Sequence, residues 1–156
     1  MNIQTGIAVA VAIIVIVAVF FPEYVPLDNL MPNFGTVAGV SIETEEGLKV
    51  TDEVEGTGEG VVAGDQVTVN YIGTFEDGTI FDASTNQGGP VSFMIGVGQV
   101  IQGWEQGLIG MKEGGKRTLV IPPSLGYGDT GVEGIIPGNS TLIFTVELLD
   151  IARPEN

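Results

Sequence analysis

Downstream of residue 46, only one stretch carries helical spacing, and it is short. Val100, Ile101, Trp104 and Leu108 recur roughly every three to four residues. This part of the chain therefore has room for one small helix, with one apolar face and the chain's single Trp at its centre. Gly103 and Gly107 are poor helix formers, each costing about 1 kcal/mol against Ala. They suit a helix that a strand or a ligand must approach closely. The rest of the region reads as strand. Leu48-Lys49-Val50 opens it, and Val67, Val69, Tyr71, Gly73 and Phe75 alternate with Thr68, Asn70, Ile72 and Thr74. That period of two marks a strand with one buried face. Asp77-Gly78 is a hairpin turn signal returning the chain through Ile80-Phe81. Val91–Ile95, Arg117–Ile121 and Thr141–Ile151 supply further strands. Several antiparallel strands and one short helix make an α+β domain over residues 47–152, its sheet burying one face against the helix. Between Pro122 and Ser140 lies a loop of Pro, Gly and Tyr without periodicity, of the kind that often covers a site.

Residues 1–46 read differently. Ile3 to Phe21 is an uncharged run of about 19 residues, long enough as a helix to reach roughly 28 Å, close to the hydrocarbon thickness of a bilayer. Residues 1–21 are expected to form a single transmembrane anchor. The competing reading, a cleaved signal peptide, lacks a basic start and a small-residue cleavage site. Lys and Arg flank neither end, so the positive-inside rule has little to count. Glu23 and Asp28 follow the run, and the expectation is a domain on the outer, extracytoplasmic face. Residues 22–46, with Pro22, Pro26 and Pro32 and an acidic end at Glu43, Glu45 and Glu46, read as a linker.

Composition excludes several chemistries. The chain of 156 residues has no Cys and no His, which removes disulfides, thiolate catalysis, His triads and Cys or His metal sites. Its carboxylates show no calcium-loop spacing, so neither a metal nor a cofactor is expected. A net charge of −15 with only five basic residues argues against nucleic-acid binding.

Several segments, taken in order, resemble one known family. They are Val69-Asn70-Tyr71-Ile72-Gly73, Asp77-Gly78-Thr79-Ile80-Phe81-Asp82-Ala83-Ser84 and Val100-Ile101-Gln102-Gly103-Trp104-Glu105-Gln106-Gly107-Leu108. Tyr127-Gly128 and Gly134-Ile135-Ile136-Pro137-Gly138-Asn139-Ser140-Thr141-Leu142-Ile143-Phe144 complete the set. Together they resemble the FK506-binding-protein family of peptidyl-prolyl isomerases over about Gly47 to Ile151. The resemblance implies a curled antiparallel sheet wrapped around the short helix, proline-containing polypeptides as clients and no cofactor. It further implies a pocket in which Tyr71, Asp82 and Tyr127 act on the substrate amide. Phe81, Val91, Phe93, Val100, Ile101, Trp104, Ile135, Ile136 and Phe144 would line it, with Trp104 as floor for the proline ring. Taken alone, Trp104, Phe81 and Phe144 read by default as core, and Asp82 as a turn or surface acid. The resemblance also leaves open a binding or chaperone module of the same fold without turnover.

The chain departs from the family pattern in three places. Val91 stands where most well-known relatives carry an aromatic wall, and Val132 where a His is common. The Thr85–Gly89 loop lacks the usual basic residue. Macrocyclic inhibitors are therefore expected to bind weakly.

Overall fold

The computed structural model describes residues 41–154. The expected anchor (1–21) and most of the expected linker lie outside the described residues. Among the described residues, no helix is long and apolar enough to cross a membrane.

One sheet of seven antiparallel strands dominates. In chain order these are β1 (Ser41–Glu43), β2 (Lys49–Val54), β3 (Gln66–Thr74), β4 (Ile80–Ala83), β5 (Val91–Met94), β6 (Lys116–Ile121) and β7 (Leu142–Ala152). The spatial order is β1-β2-β6-β7-β3-β4, with β5 also on β3. β1 occupies the stretch that the sequence read as the linker's end, and pairs with β2 from Ser41↔Thr51 to Glu43↔Lys49.

The alternation in β3 does what the spacing predicts. Val67, Val69 and Gly73 are buried, while the side chains between them are more open. β3 lies along nearly all of β7, from Gln66↔Ala152 to Thr74↔Ile143, with one register shift after Thr68. On the same inner face, Leu119 and Ile121 of β6 and Leu142, Phe144, Val146 and Leu148 of β7 are buried. The Asp77-Gly78 turn forms as expected: Gly78 adopts φ 85°, and the Thr79 N–H donates to Asp77 Oδ1 at 2.9 Å.

The curled sheet implied by the family resemblance is not what is observed. The ladder is an open path with free edges, and β1 pairs only with β2. At the other edge β3 is shared, its first half pairing with β5 and its last residues with β4. Closure needs the edge strands to hydrogen-bond each other in a consistent stagger. Here the edges are strands of three residues (β1) and four residues (β4), and they make no such ladder.

The single α-helix among the described residues, α1, spans Gln102–Gly107, shorter than the apolar spacing suggested. Val100 and Ile101 precede it, Ile101 in extended conformation at φ −61° and ψ 152°. The two helical glycines face β6. A Cβ on Gly103 would lie 2.5 Å from Ile121 Cγ2, and one on Gly107 would lie 2.7 Å from Leu119 Cδ2. The close neighbour is thus a strand, and missing side chains let the helix sit directly on it.

Two polar contacts hold α1 in place. The buried Arg117 guanidinium donates to the carbonyls of Gly107 (2.7 Å) and Ile109 (3.0 Å) at the helix exit, and to both oxygens of Asp52 on β2 (2.6 and 3.0 Å). A cation at the carbonyl end of a helix also suits its dipole. The Glu105 carboxylate accepts the N–H groups of Gly96 and Gly98, fastening the preceding turn to the helix.

Candidate functional site

The inner end of the sheet and the helix enclose a pocket of about 480 Å³. β3 contributes Tyr71, β4 Phe81 and Asp82, and β5 Val91 and Phe93. The turn before α1 adds Val100 and Ile101, and α1 itself Trp104. The loop between β6 and β7 supplies Tyr127, Ile135 and Ile136, and β7 Phe144. Every site residue named from the sequence therefore lines one cavity. Gln87, Gln99 and Val132 line it too. Of these three, the sequence singles out only Val132, as a departure from the family pattern. Gln87 ends a short 3-10 helix after β4 and Gln99 lies in the bend before α1, and nothing in their spacing distinguishes them from ordinary connecting residues.

Trp104 is the hub of the aromatic lining and is 5% exposed. Tyr71 and Phe144 stand edge-on to it at 5.1 Å, and Phe93 lies tilted at 5.3 Å. Phe81 meets Phe144 edge-on at 5.4 Å. Such ring pairs contribute about 0.5–1.5 kcal/mol each beyond their buried area, which fixes the wall before any ligand enters. Gly73 makes this possible, since a Cβ there would stand 2.7 Å from Phe81 and 2.8 Å from Phe144. The Trp104 Nε1–H is buried with no acceptor among the described residues.

The polar corner is small. Tyr71 Oη donates to Asp82 Oδ2 at 2.6 Å, and the Ala83 N–H donates to Oδ1 at 2.8 Å. Burial, reinforced by the Asp82 carboxylate, pushes the Tyr71 hydroxyl well above the usual phenol range. Burial first, and the Asp82 charge second, also raise the Tyr127 hydroxyl. Both phenols thus keep their protons at neutral pH and remain hydrogen-bond donors.

The loop over the pocket is fastened to itself. Val132 and Ile136 exchange both backbone hydrogen bonds at 2.8 Å, and the Asn139 N–H donates to the Gly128 carbonyl at 2.8 Å. Ile136 is buried, whereas Ile135 is 58% exposed and Tyr127 41%. The rim of the cavity is thus exposed, while Trp104 and Ile136 beneath it are buried.

A greasy bowl with one carboxylate and two protonated phenols offers no thiol, imidazole or amine. It suits a reaction in which no bond breaks and a ring must be held against aromatic faces. The chain's relatives point the same way. The family model described as FKBP-type peptidyl-prolyl cis-trans isomerase matches residues 58–149. The chain is 51% identical over 105 residues to the FK506-binding protein of Neisseria meningitidis serogroup B, covering 67% of this chain and 96% of that one. Among solved structures, the crystal structure of AtFKBP13 matches with a TM-score of 0.68 at 41% identity, covering 72% of this chain and 99% of that one. FkpA from Escherichia coli matches with a TM-score of 0.66 at 48% identity, covering 72% of this chain and 52% of that one. The chain therefore belongs to the FKBP-type peptidyl-prolyl cis-trans isomerases, and its aromatic pocket serves the rotation of X-Pro bonds in proline-containing polypeptides.

Proposed function

We propose that Trp104 is the floor on which the substrate proline ring rests, and that Asp82, Tyr71 and Tyr127 act on the amide above it. Rotation about an X-Pro bond faces a barrier of about 18–20 kcal/mol, because resonance gives the C–N bond double-bond character. Lowering it requires binding the twisted amide better than either planar form. The ring cluster around Trp104 removes water that stabilises the charge-separated planar amide. The Asp82 carboxylate, kept in place by Tyr71, faces the turning carbonyl and disfavours charge building on its oxygen. The Tyr127 hydroxyl and the Ile101 N–H serve as donors to the neighbouring substrate carbonyls. Phe81, Val91, Phe93, Val100, Ile135, Ile136 and Phe144 form the wall.

The observation that carries this reading is the meeting of one hydrogen-bonded carboxylate with the Trp104-centred rings in a single open cavity. Isomerisation of a short Leu-Pro peptide tests it. Asp82→Asn and Tyr127→Phe should lower kcat/KM by about tenfold each, the equivalent of one hydrogen bond, with little change in melting temperature. An equal loss of rate and stability would make both residues structural.

The clients are unfolded or looped segments of proteins near a membrane, reached from an anchor at residues 1–21 with the domain on the outer face. The support is the uncharged Ile3–Phe21 run. Protease protection on sealed membranes tests anchor and side together. A domain that washes off, or one digested only after the membrane is opened, overturns the corresponding half. Macrocyclic inhibitors bind this pocket weakly, because Val91 offers less apolar surface than an aromatic wall would.

A further inference from the structure

We infer that this isomerase selects clients by charge, favouring X-Pro segments flanked by Lys or Arg and discriminating against acidic flanks. The inference rests on the pocket being the substrate site.

The five basic residues of the chain are all committed elsewhere. Lys49 pairs with Glu43, Lys112 with Glu55, Lys116 with Glu53, Arg117 with Asp52, and Arg153 with Glu59 and Asp65. None of them lines the pocket. Within it, among the described residues, Asp82 is held only by neutral donors, the Tyr71 hydroxyl and the Ala83 N–H, and no cation pairs with its charge. Gln87, at the end of the short 3-10 helix after β4, brings a neutral amide to the same cavity where a cation would have cancelled that charge. The Pro122–Ser140 loop, which lends Tyr127, Val132, Ile135 and Ile136 to the pocket, also carries Asp129 and Glu133, both exposed and, among the described residues, neither in an ion pair with Lys or Arg. Glu133 sits between pocket-lining Val132 and Ile135 in a turn closed by the Val132–Ile136 bridge. A mouth with low-dielectric walls and one sign of charge concentrates ligands of the other sign and repels its own. The proline ring decides binding to the floor, and the flanking residues meet the charged rim.

The test uses the full chain and peptides of the form Xaa-Leu-Pro-Phe-Xaa, with Lys, Gln or Glu at both Xaa positions. Exchange is followed by NMR at low salt and at about 1 M salt, where the screening length falls to about 3 Å. The Lys peptide should exceed the Glu peptide in kcat/KM by about tenfold at low salt, with Gln between them and the three converging at high salt. The double variant D129N/E133Q should narrow the Lys-to-Glu ratio. Equal acceleration of all three peptides at low salt overturns the selectivity while leaving the isomerase reading intact. A spread that salt does not diminish overturns it as well, since size or shape would then be the cause. If the Gln peptide is not accelerated at all, the isomerase reading fails and takes this inference with it.

Discussion

Replacing Gly103 by Ala sets two effects of opposite sign against each other at the base of the pocket. By helix propensity alone, Ala should stabilise α1 by about 1 kcal/mol. The structure gives the other sign. The new methyl would lie 2.5, 2.6 and 2.8 Å from Cγ2, Cδ1 and Cγ1 of Ile121, a side chain with no exposure. A β-branched residue locked in a packed sheet has few other rotamers to escape into. Overpacking of this kind costs about 1–3 kcal/mol, and three clashes on one buried side chain put the cost at the upper end. The net expectation is a loss of about 1–2 kcal/mol, a fall in melting temperature of about 5 °C or more for a domain of this size. Because Trp104 is the next residue, a lifted helix should also shift the emission of the chain's single Trp and lower kcat/KM. Urea unfolding followed by that emission measures stability and local environment together. Ile121→Ala makes the control. Alone it opens a cavity at a cost of about 2–5 kcal/mol, but with Gly103→Ala the added methyl refills part of it. The double variant should then fall short of the sum of the single losses by about 1 kcal/mol or more. A rise in melting temperature for Gly103→Ala, or strictly additive losses, would refute the packing argument and leave propensity as the governing term.

Four further outcomes follow from the site and its supports. Tyr71→Phe leaves Asp82 with only the Ala83 N–H as donor, and should lower kcat/KM about tenfold while substrate-free stability changes less. Both pocket phenols, Tyr71 and Tyr127, are held above their ordinary range, so neither loses its proton between pH 6 and 9. The pH–rate profile should show no phenol limb there, and a limb lost in Tyr127→Phe would contradict the assignment. Arg153 holds the Asp65 carboxyl down to about 2, below the roughly 3.9 of an unfolded aspartate. Its stabilisation is complete above the unfolded value and lost as pH falls through the folded one. Arg153→Gln should therefore cost most near neutrality and little below about pH 2, and a difference that persists in acid, read from unfolding midpoints, would disprove the linkage. Val91→Phe restores an aromatic wall and should tighten a macrocyclic inhibitor about tenfold, as calorimetry can measure.

The elements that were legible in the sequence are those whose signals are local. The period of two through Val67 to Gly73 and the Asp77-Gly78 turn fix β3 and its return from neighbouring residues alone. The helix was visible, but not its start: Val100 and Ile101 fit the apolar spacing, yet both precede α1, Ile101 in extended conformation. The pocket residues came from an ordered match of motifs, because a ring cluster drawn from four strands and the helix has no local signature. The openness of the sheet was not legible at all. It depends on β3 dividing one edge between β4 and β5, and on β1 ending against β2, which alternation does not encode. Buried Arg117 and Asp65 were equally hidden, since a charged residue's partners lie far along the chain: Asp52 in one case, Arg153 in the other.

Arg117 has a mechanical consequence. Tension applied to the chain at Ser41 meets the sheet at its rim and peels β1 away first. β2 comes next, and with it Asp52, one of the two grips of the Arg117 guanidinium. The other grip holds the exit of the helix that carries Trp104. A tug from the amino-terminal side reaches the aromatic pocket through a single planar cation, before the long β3–β7 seam bears any load.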